Sequence, residues 1–136
     1  MKIIVYVRNN MERAKLSIES ISLFVENAPL IVVDNASEDG FATWASSQST
    51  FDYVYMDEGY QPVGRVLNQV IDGMGIDEDI MLIDSNCIIL PKLIENMMST
   101  FSSDESLGVV GCYTNFSSEL EHRGINNQDA MVDYIS

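Results

Sequence analysis

The chain has 136 residues, 46% of them hydrophobic, with 21 acidic side chains against 7 basic ones and a formal charge of −14. That length suits a single sizeable core, and that apolar fraction argues for a globular fold over a disordered one. A field this negative excludes a nucleic-acid polymer as partner, and no apolar run approaches the length of a bilayer span.

Lys2 to Val7 reads as a first strand, too short an apolar stretch for a secretion signal, so the expected location is cytoplasmic. Arg8-Asn9-Asn10 closes it. Either asparagine can cap the helix that follows, whose apolar positions Ala14, Ile18, Ile21 and Val25 fall at helical spacing. Pro29 stops that helix, and Leu30 to Asp34 forms a second strand. Asn35 to Gly40 is a turn whose side chains can bond their own backbone. A short helix from Phe41 to about Gln48 and a strand from Tyr53 to Met56 come next. After a loop over residues 57–62, Val63, Val66, Leu67, Val70, Ile71 and Met74 mark one face of a helix ended by Gly75. Ile80 to Ile83 is a fourth strand, followed by a helix started by Pro91, with Ile94, Met97, Met98 and Phe101 on its face. Leu107 to Cys112 reads as a fifth strand, and past Tyr113 only a terminal helix near Asp129 to Ile135 is expected. Cys87 and Cys112, without a CxxC or histidine partner, read as reduced core or near-core thiols.

Strand and helix alternate over short connections. The expected fold is therefore α/β, a Rossmann-like three-layer sandwich with a mainly parallel central sheet. Two of its strands, Leu30-Ile-Val-Val-Asp34 and Ile80-Met-Leu-Ile-Asp84, end on an aspartate. Ligands of open α/β sheets bind beyond the carboxyl ends of the strands, where such residues can hold a sugar hydroxyl, a base edge or a divalent cation.

Taken in order, these segments resemble the N-terminal half of family-2 glycosyltransferases, which have the GT-A fold. The first strand with Arg8-Asn9-Asn10 looks like the family's opening strand. Val32-Val33-Asp34-Asn35-Ala36-Ser37-Glu38-Asp39-Gly40 is close to its Val-Val-Asp-Asn-Gly-Ser-Thr-Asp-Gly element. Gly64-Arg-Val-Leu-Asn68 looks like its Gly-x-Ala-x-Asn helix start, and Asp84-Ser85-Asn86 stands where the family keeps Asp-x-Asp. The resemblance implies a nucleotide-sugar-binding domain over residues 1–113 and a C-terminal extension over 114–136. It implies a nucleoside diphosphate sugar as donor, with Asp34 accepting from the ring N–H of the base and Val7 and Arg8 flanking that base. Asn68 and Ser85 join the donor-binding set, and Asp84 meets the ribose hydroxyl or a metal-bound water. Mn²⁺ or Mg²⁺ would be held by Asp84 and Asn86 and would neutralise the leaving diphosphate. An amide at residue 86 in place of the family's carboxylate lowers the attraction for that cation.

The function implied is transfer of the sugar to a glycan or other hydroxyl acceptor. Family members continue for roughly another hundred residues, the part that carries the acceptor site and the catalytic base. Glu119, Glu121 and Asp129 are carboxylates in this stretch, but a solvated tail explains them, and His122 reads as a surface residue. The alternative is a non-catalytic nucleotide-binding module that acts with a partner chain or a second copy of itself. A phosphorylation receiver also uses strand-end aspartates, but it needs carboxylates after the first strand, where this chain has Arg8-Asn9-Asn10.

Overall fold

Four short apolar runs become the strands of one sheet. In the computed structural model, which describes residues 1–27 and 29–112, the strands are β1 (Lys2–Val7), β2 (Leu30–Asp34), β3 (Asp52–Tyr55) and β4 (Ile80–Asp84). They lie in the order β3-β2-β1-β4, and every pairing is parallel. The helices between them are α1 (Met11–Phe24), α2 (Phe41–Ser46) and α3 (Val63–Gly73). The expected α/β sandwich with a parallel sheet is the architecture observed.

The chain divides into two compact units, Met1–Ile88 and Ile89–Ser136. All four strands belong to the first. In the second, α4 (Leu93–Ser102) buries Ile94 and leaves Met98 exposed. Pro91 does not start this helix. It precedes Lys92, which has a φ of 66°, in a turn closed by the Leu93 N–H on the Leu90 carbonyl at 3.2 Å. That arrangement suits a proline followed by a left-handed residue.

The fifth strand expected at 107–112 is absent. Val109 is 85% exposed, and among the described residues the segment has no ladder partner. Gly108 and Gly111 bracket only two β-branched residues, too little side chain to hold an extended segment against solvent. The terminal helix near Asp129 and the residues Glu119, Glu121 and His122 lie outside the described residues.

The strand order explains how the core is layered. Crossovers from β1 to β2 and from β2 to β3 advance in one direction, whereas β3 to β4 returns past β1. With right-handed crossovers, α1 and α2 cover one face and α3 the other. The α3 face is an apolar cluster of Ile4, Ile31, Val33, Val66 and Val70, with Tyr6, Val54, Leu67, Ile71 and Ile80 against it. Alternation along the strands sends Ile3, Val5, Val7 and Val32 to the opposite face, and all four are fully buried. There the ring of Phe41 from α2 meets Tyr53 of β3 edge-on, centroids 6.4 Å apart.

Because Ile4 sits in the inner strand and is wholly buried in the α3 cluster, Ile4→Ala is expected to cost about 2–5 kcal/mol of stability. Leu23→Ala, at a side chain 74% exposed on α1, should change it by about 0.5 kcal/mol or less. Urea unfolding of the two variants checks the contrast; equal losses would mean that the layering is wrong.

Candidate functional site at the carboxyl edge of the sheet

Parallel pairing brings the strand-end residues to one edge. Val7 stands in register with Asp34, Asp34 with Tyr55, and Tyr6 with Asp84. The two aspartates thus share an edge, as their strand-end positions require. Side-chain alternation separates them, however: Asp34 belongs to the α2 face with Val32 and Tyr53, Asp84 to the α3 face with Ile4 and Tyr6. Between β1 and β4 the strand order reverses, which is where an open α/β sheet leaves a crevice.

Asp34 is fully buried. Its Oδ1 accepts the Ser37 N–H at 2.8 Å, and its Oδ2 accepts the Tyr53 hydroxyl at 2.7 Å. A buried carboxyl group without such donors would be strongly destabilising. Burial, and next the bond to Asp34, push the Tyr53 phenol well above its ordinary value of 10.0. Sequence reading missed Tyr53, since nothing near it in the chain marks an aspartate 19 positions away as its partner.

Asn35 is fully buried as well and does three things. Its Nδ2 donates to the Tyr6 hydroxyl and to the Gln61 carbonyl, each at 2.7 Å, while its Oδ1 accepts the Gln61 N–H at 3.0 Å. Its own N–H bonds the Val7 carbonyl at 2.9 Å, extending the ladder one step past the strands. The loop between β3 and α3 is thereby fastened to the ends of β1 and β2.

The rest of the turn locks onto the loop after β1. The Asn9 N–H donates to Ser37 Oγ and the Glu38 N–H to Asn9 Oδ1, both at 2.8 Å. Asp39 Oδ2 accepts the Met11 N–H at 2.7 Å, and its Oδ1 accepts the Phe41 N–H at 3.3 Å. One carboxylate therefore serves the first N–H of both α1 and α2, a favourable place for negative charge. Asn9 and Asn10 do not cap α1 with their side chains; both are left-handed, with φ of 57° and 60°. Asparagine tolerates that conformation better than most residues.

Arg8 donates through Nη1 to the carbonyls of Asn35, at 3.1 Å, and Ala36. Its guanidinium carbon lies 5.3 Å from the centroid of the Tyr60 ring. On the other side of β1, Asp84 is exposed, and its Oδ1 accepts both the backbone N–H of Asn86, at 2.8 Å, and its Nδ2, at 2.9 Å. Asn10 Nδ2 donates to Asn86 Oδ1 at 3.3 Å, a bridge across the reversal point. Ser85 is buried, its N–H on the Tyr6 carbonyl at 3.0 Å. Gly64 and Asn68 are exposed on α3, and no hydrogen bond joins Asn68 to either aspartate among the described residues.

Among the described residues, no three His, Cys, Asp or Glu side chains gather as a metal cage. One exposed carboxylate, and an amide whose oxygen accepts from Asn10, do not by themselves fit a resident cation. A hard cation here needs further oxygens from a ligand, as Mg²⁺ commonly takes from phosphates. Cys87 and Cys112 are both exposed rather than in or near the core.

No protein-family model and no curated protein matches the sequence. Among solved structures, the S. aureus TarS 1–349 crystal structure aligns with a TM-score of 0.60 at 14% identity. The alignment covers 88% of this chain and 40% of that one. The chain thus shares an α/β fold with that structure and spans about two fifths of the TarS chain it matches. No helix among the described residues is long and apolar enough to cross a membrane.

Two outcomes test this network. Tyr53→Phe leaves Asp34 short of a donor in a buried place and should cost about 1–3 kcal/mol. Because folding raises the Tyr53 pKa, the unfolded chain loses that proton first, near pH 10.0, and the native protein should lose stability as the pH climbs above it. Urea midpoints taken from pH 8 to 11 should fall less steeply in Tyr53→Phe; parallel profiles would deny the bond its role.

Ala36 supplies a second test. It has a φ of 56° where the resembling element carries glycine, a conformation that a Cβ disfavours by about 1–2 kcal/mol. Ala36→Gly should raise stability by about 0.5–1 kcal/mol once the added freedom of the unfolded chain is subtracted. A loss in thermal or urea unfolding would mean that the buried methyl outweighs the strain.

Proposed function

We propose that the carboxyl edge around β1 and β4 binds a nucleoside diphosphate sugar and serves transfer of that sugar to a glycan or other hydroxyl acceptor. The observation that carries this reading is the crevice position itself: the strand order reverses between β1 and β4, and Asp84 stands exposed there beside the Asn10–Asn86 bridge. The sequence resemblance to family-2 glycosyltransferases and the fold shared with TarS support it. In the transfer, the acceptor oxygen bonds the anomeric carbon, the bond from that carbon to the diphosphate oxygen breaks, and a base takes the hydroxyl proton.

On this reading the base lies against Val7 and Arg8, and Asp84 with Ser85 faces the ribose. Asn68 approaches the donor from α3. Asp84 and Asn86 would hold Mn²⁺ or Mg²⁺ only together with oxygens of the diphosphate, and the cation would supply charge neutralisation for the leaving group. Asp34 reaches the base N–H only if the residues covering it shift, since its carboxyl group is fully buried. A carboxylate offers about four acceptor sites, so the bonds from Ser37 and Tyr53 leave room for a third.

A second reading is a nucleotide-binding module without turnover, acting with a partner chain or a second copy. The self-bonded Asp84–Asn86 pair favours it, because an amide supplies no negative charge where phosphate departure needs a cation.

Calorimetry with UDP, GDP, CDP and their sugars, each with Mn²⁺ and with chelator, tests both. Binding of one nucleotide series is expected, and none up to millimolar concentration would remove both readings. Asn86→Asp should raise Mn²⁺-dependent affinity about tenfold, the effect of a charge-assisted contact replacing a neutral one. Unchanged affinity in every condition would leave residues 84–86 without a metal role. Release of the nucleoside diphosphate only when an acceptor is present would separate the enzyme from the module.

A further inference from the structure

Tyr60 is 61% exposed, a large ring open to solvent in the loop between β3 and α3. Its neighbour Gln61 is held by two backbone bonds to the buried Asn35 amide. Arg8 lies over the ring at 5.3 Å, and Arg8 is itself fixed by the Asn35 and Ala36 carbonyls. The ring is thus backed by Arg8 and follows the backbone that Gln61 anchors, yet no other aromatic ring among the described residues packs on it. A fixed ring backed by a cation and still open to solvent is built to receive a flat partner.

We propose that Tyr60 is the stacking platform for the nucleobase of the nucleotide, with Arg8 as the residue that positions it. This rests on the nucleotide-binding reading above and adds to it the surface on which the base lies. Arg8 follows Val7 directly, so the platform stands at the carboxyl end of β1, next to the reversal point where Asp84 faces the ribose. Stacking distinguishes bases weakly, because each presents a π-face. The platform therefore sets affinity for nucleotides in general, and the choice among bases falls to polar groups around it.

The test compares the unsubstituted chain with Tyr60→Ala, Tyr60→Phe and Tyr60→Trp, using UDP, GDP, CDP and ribose 5-phosphate with Mn²⁺. For whichever nucleotide the unsubstituted chain binds, Tyr60→Ala should weaken binding about ten- to hundredfold. Tyr60→Phe should restore it to within about threefold, since the ring and not the hydroxyl is needed. Ribose 5-phosphate, which has no base, should bind both proteins equally. Tyr60→Trp should report the nucleotide by quenched indole emission above the background from Trp44. Unliganded unfolding midpoints identify a variant that has lost its fold, and Tyr60→Phe and Tyr60→Trp then decide the matter. Nucleotide binding that Tyr60→Ala leaves intact, or a Tyr60→Trp emission blind to nucleotide, overturns the platform alone. No nucleotide binding by the unsubstituted chain overturns the parent reading and the platform with it.

Discussion

Asp34 ends an inner strand with its carboxyl group wholly out of water, and much of the surrounding arrangement follows from meeting its needs. Two donors reach it, the Ser37 N–H from the turn just beyond and the Tyr53 hydroxyl from the next strand. The first curls the turn back on its strand. Ser37 then presents its hydroxyl to Asn9, and Asp39 lies where it meets the first N–H of two helices. The second fixes the outward ring of β3 against Phe41. A single buried polar group thereby couples two strands, one turn and the starts of α1 and α2.

That coupling divides the carboxyl edge into two kinds of residue. Asp34, Asn35, Ser37 and Asp39 are occupied by the protein's own backbone and hydroxyl groups. Asp84, Asn86, Asn68 and Tyr60 stand further out, with much of their surface in solvent. A site held within a fraction of an ångström needs both kinds, since side chains that touch a ligand are only as well placed as the shell behind them. The Val32–Gly40 motif, read in sequence as ligand-binding, is in its geometry first a fastening.

The sheet was legible because its determinants are local. Ile3 to Val7 and Leu30 to Asp34 are apolar runs bounded by turn residues, and strands buried on both faces look like that. The position of both aspartates on one edge followed from parallel pairing alone. What could not be read depends on distant partners. Asn10 precedes α1 as a capping residue should, yet the cap comes from Asp39, 28 positions from the N–H it binds. Tyr53, Asn35 and Tyr60 gain their roles from contacts that cross strands and loops, and no periodicity marks them. The fifth strand failed for a related reason. Val109 and Val110 have the propensity, but a strand exists only where a neighbour completes its ladder.

The position of β1 between β2 and β4 also sets the order in which the molecule can be assembled. Its pairing with β2 joins Ile3 to Leu30, but its pairing with β4 joins Lys2 to Ile80. On a ribosome adding about 5–20 residues each second, β1 waits several seconds for its second neighbour. During that interval a strand made of Ile, Val and Tyr has one edge unsatisfied, the condition that favours pairing with another nascent chain. The same closure at long sequence separation makes the sheet slow to form and, once β4 is docked, hard to unravel from one end.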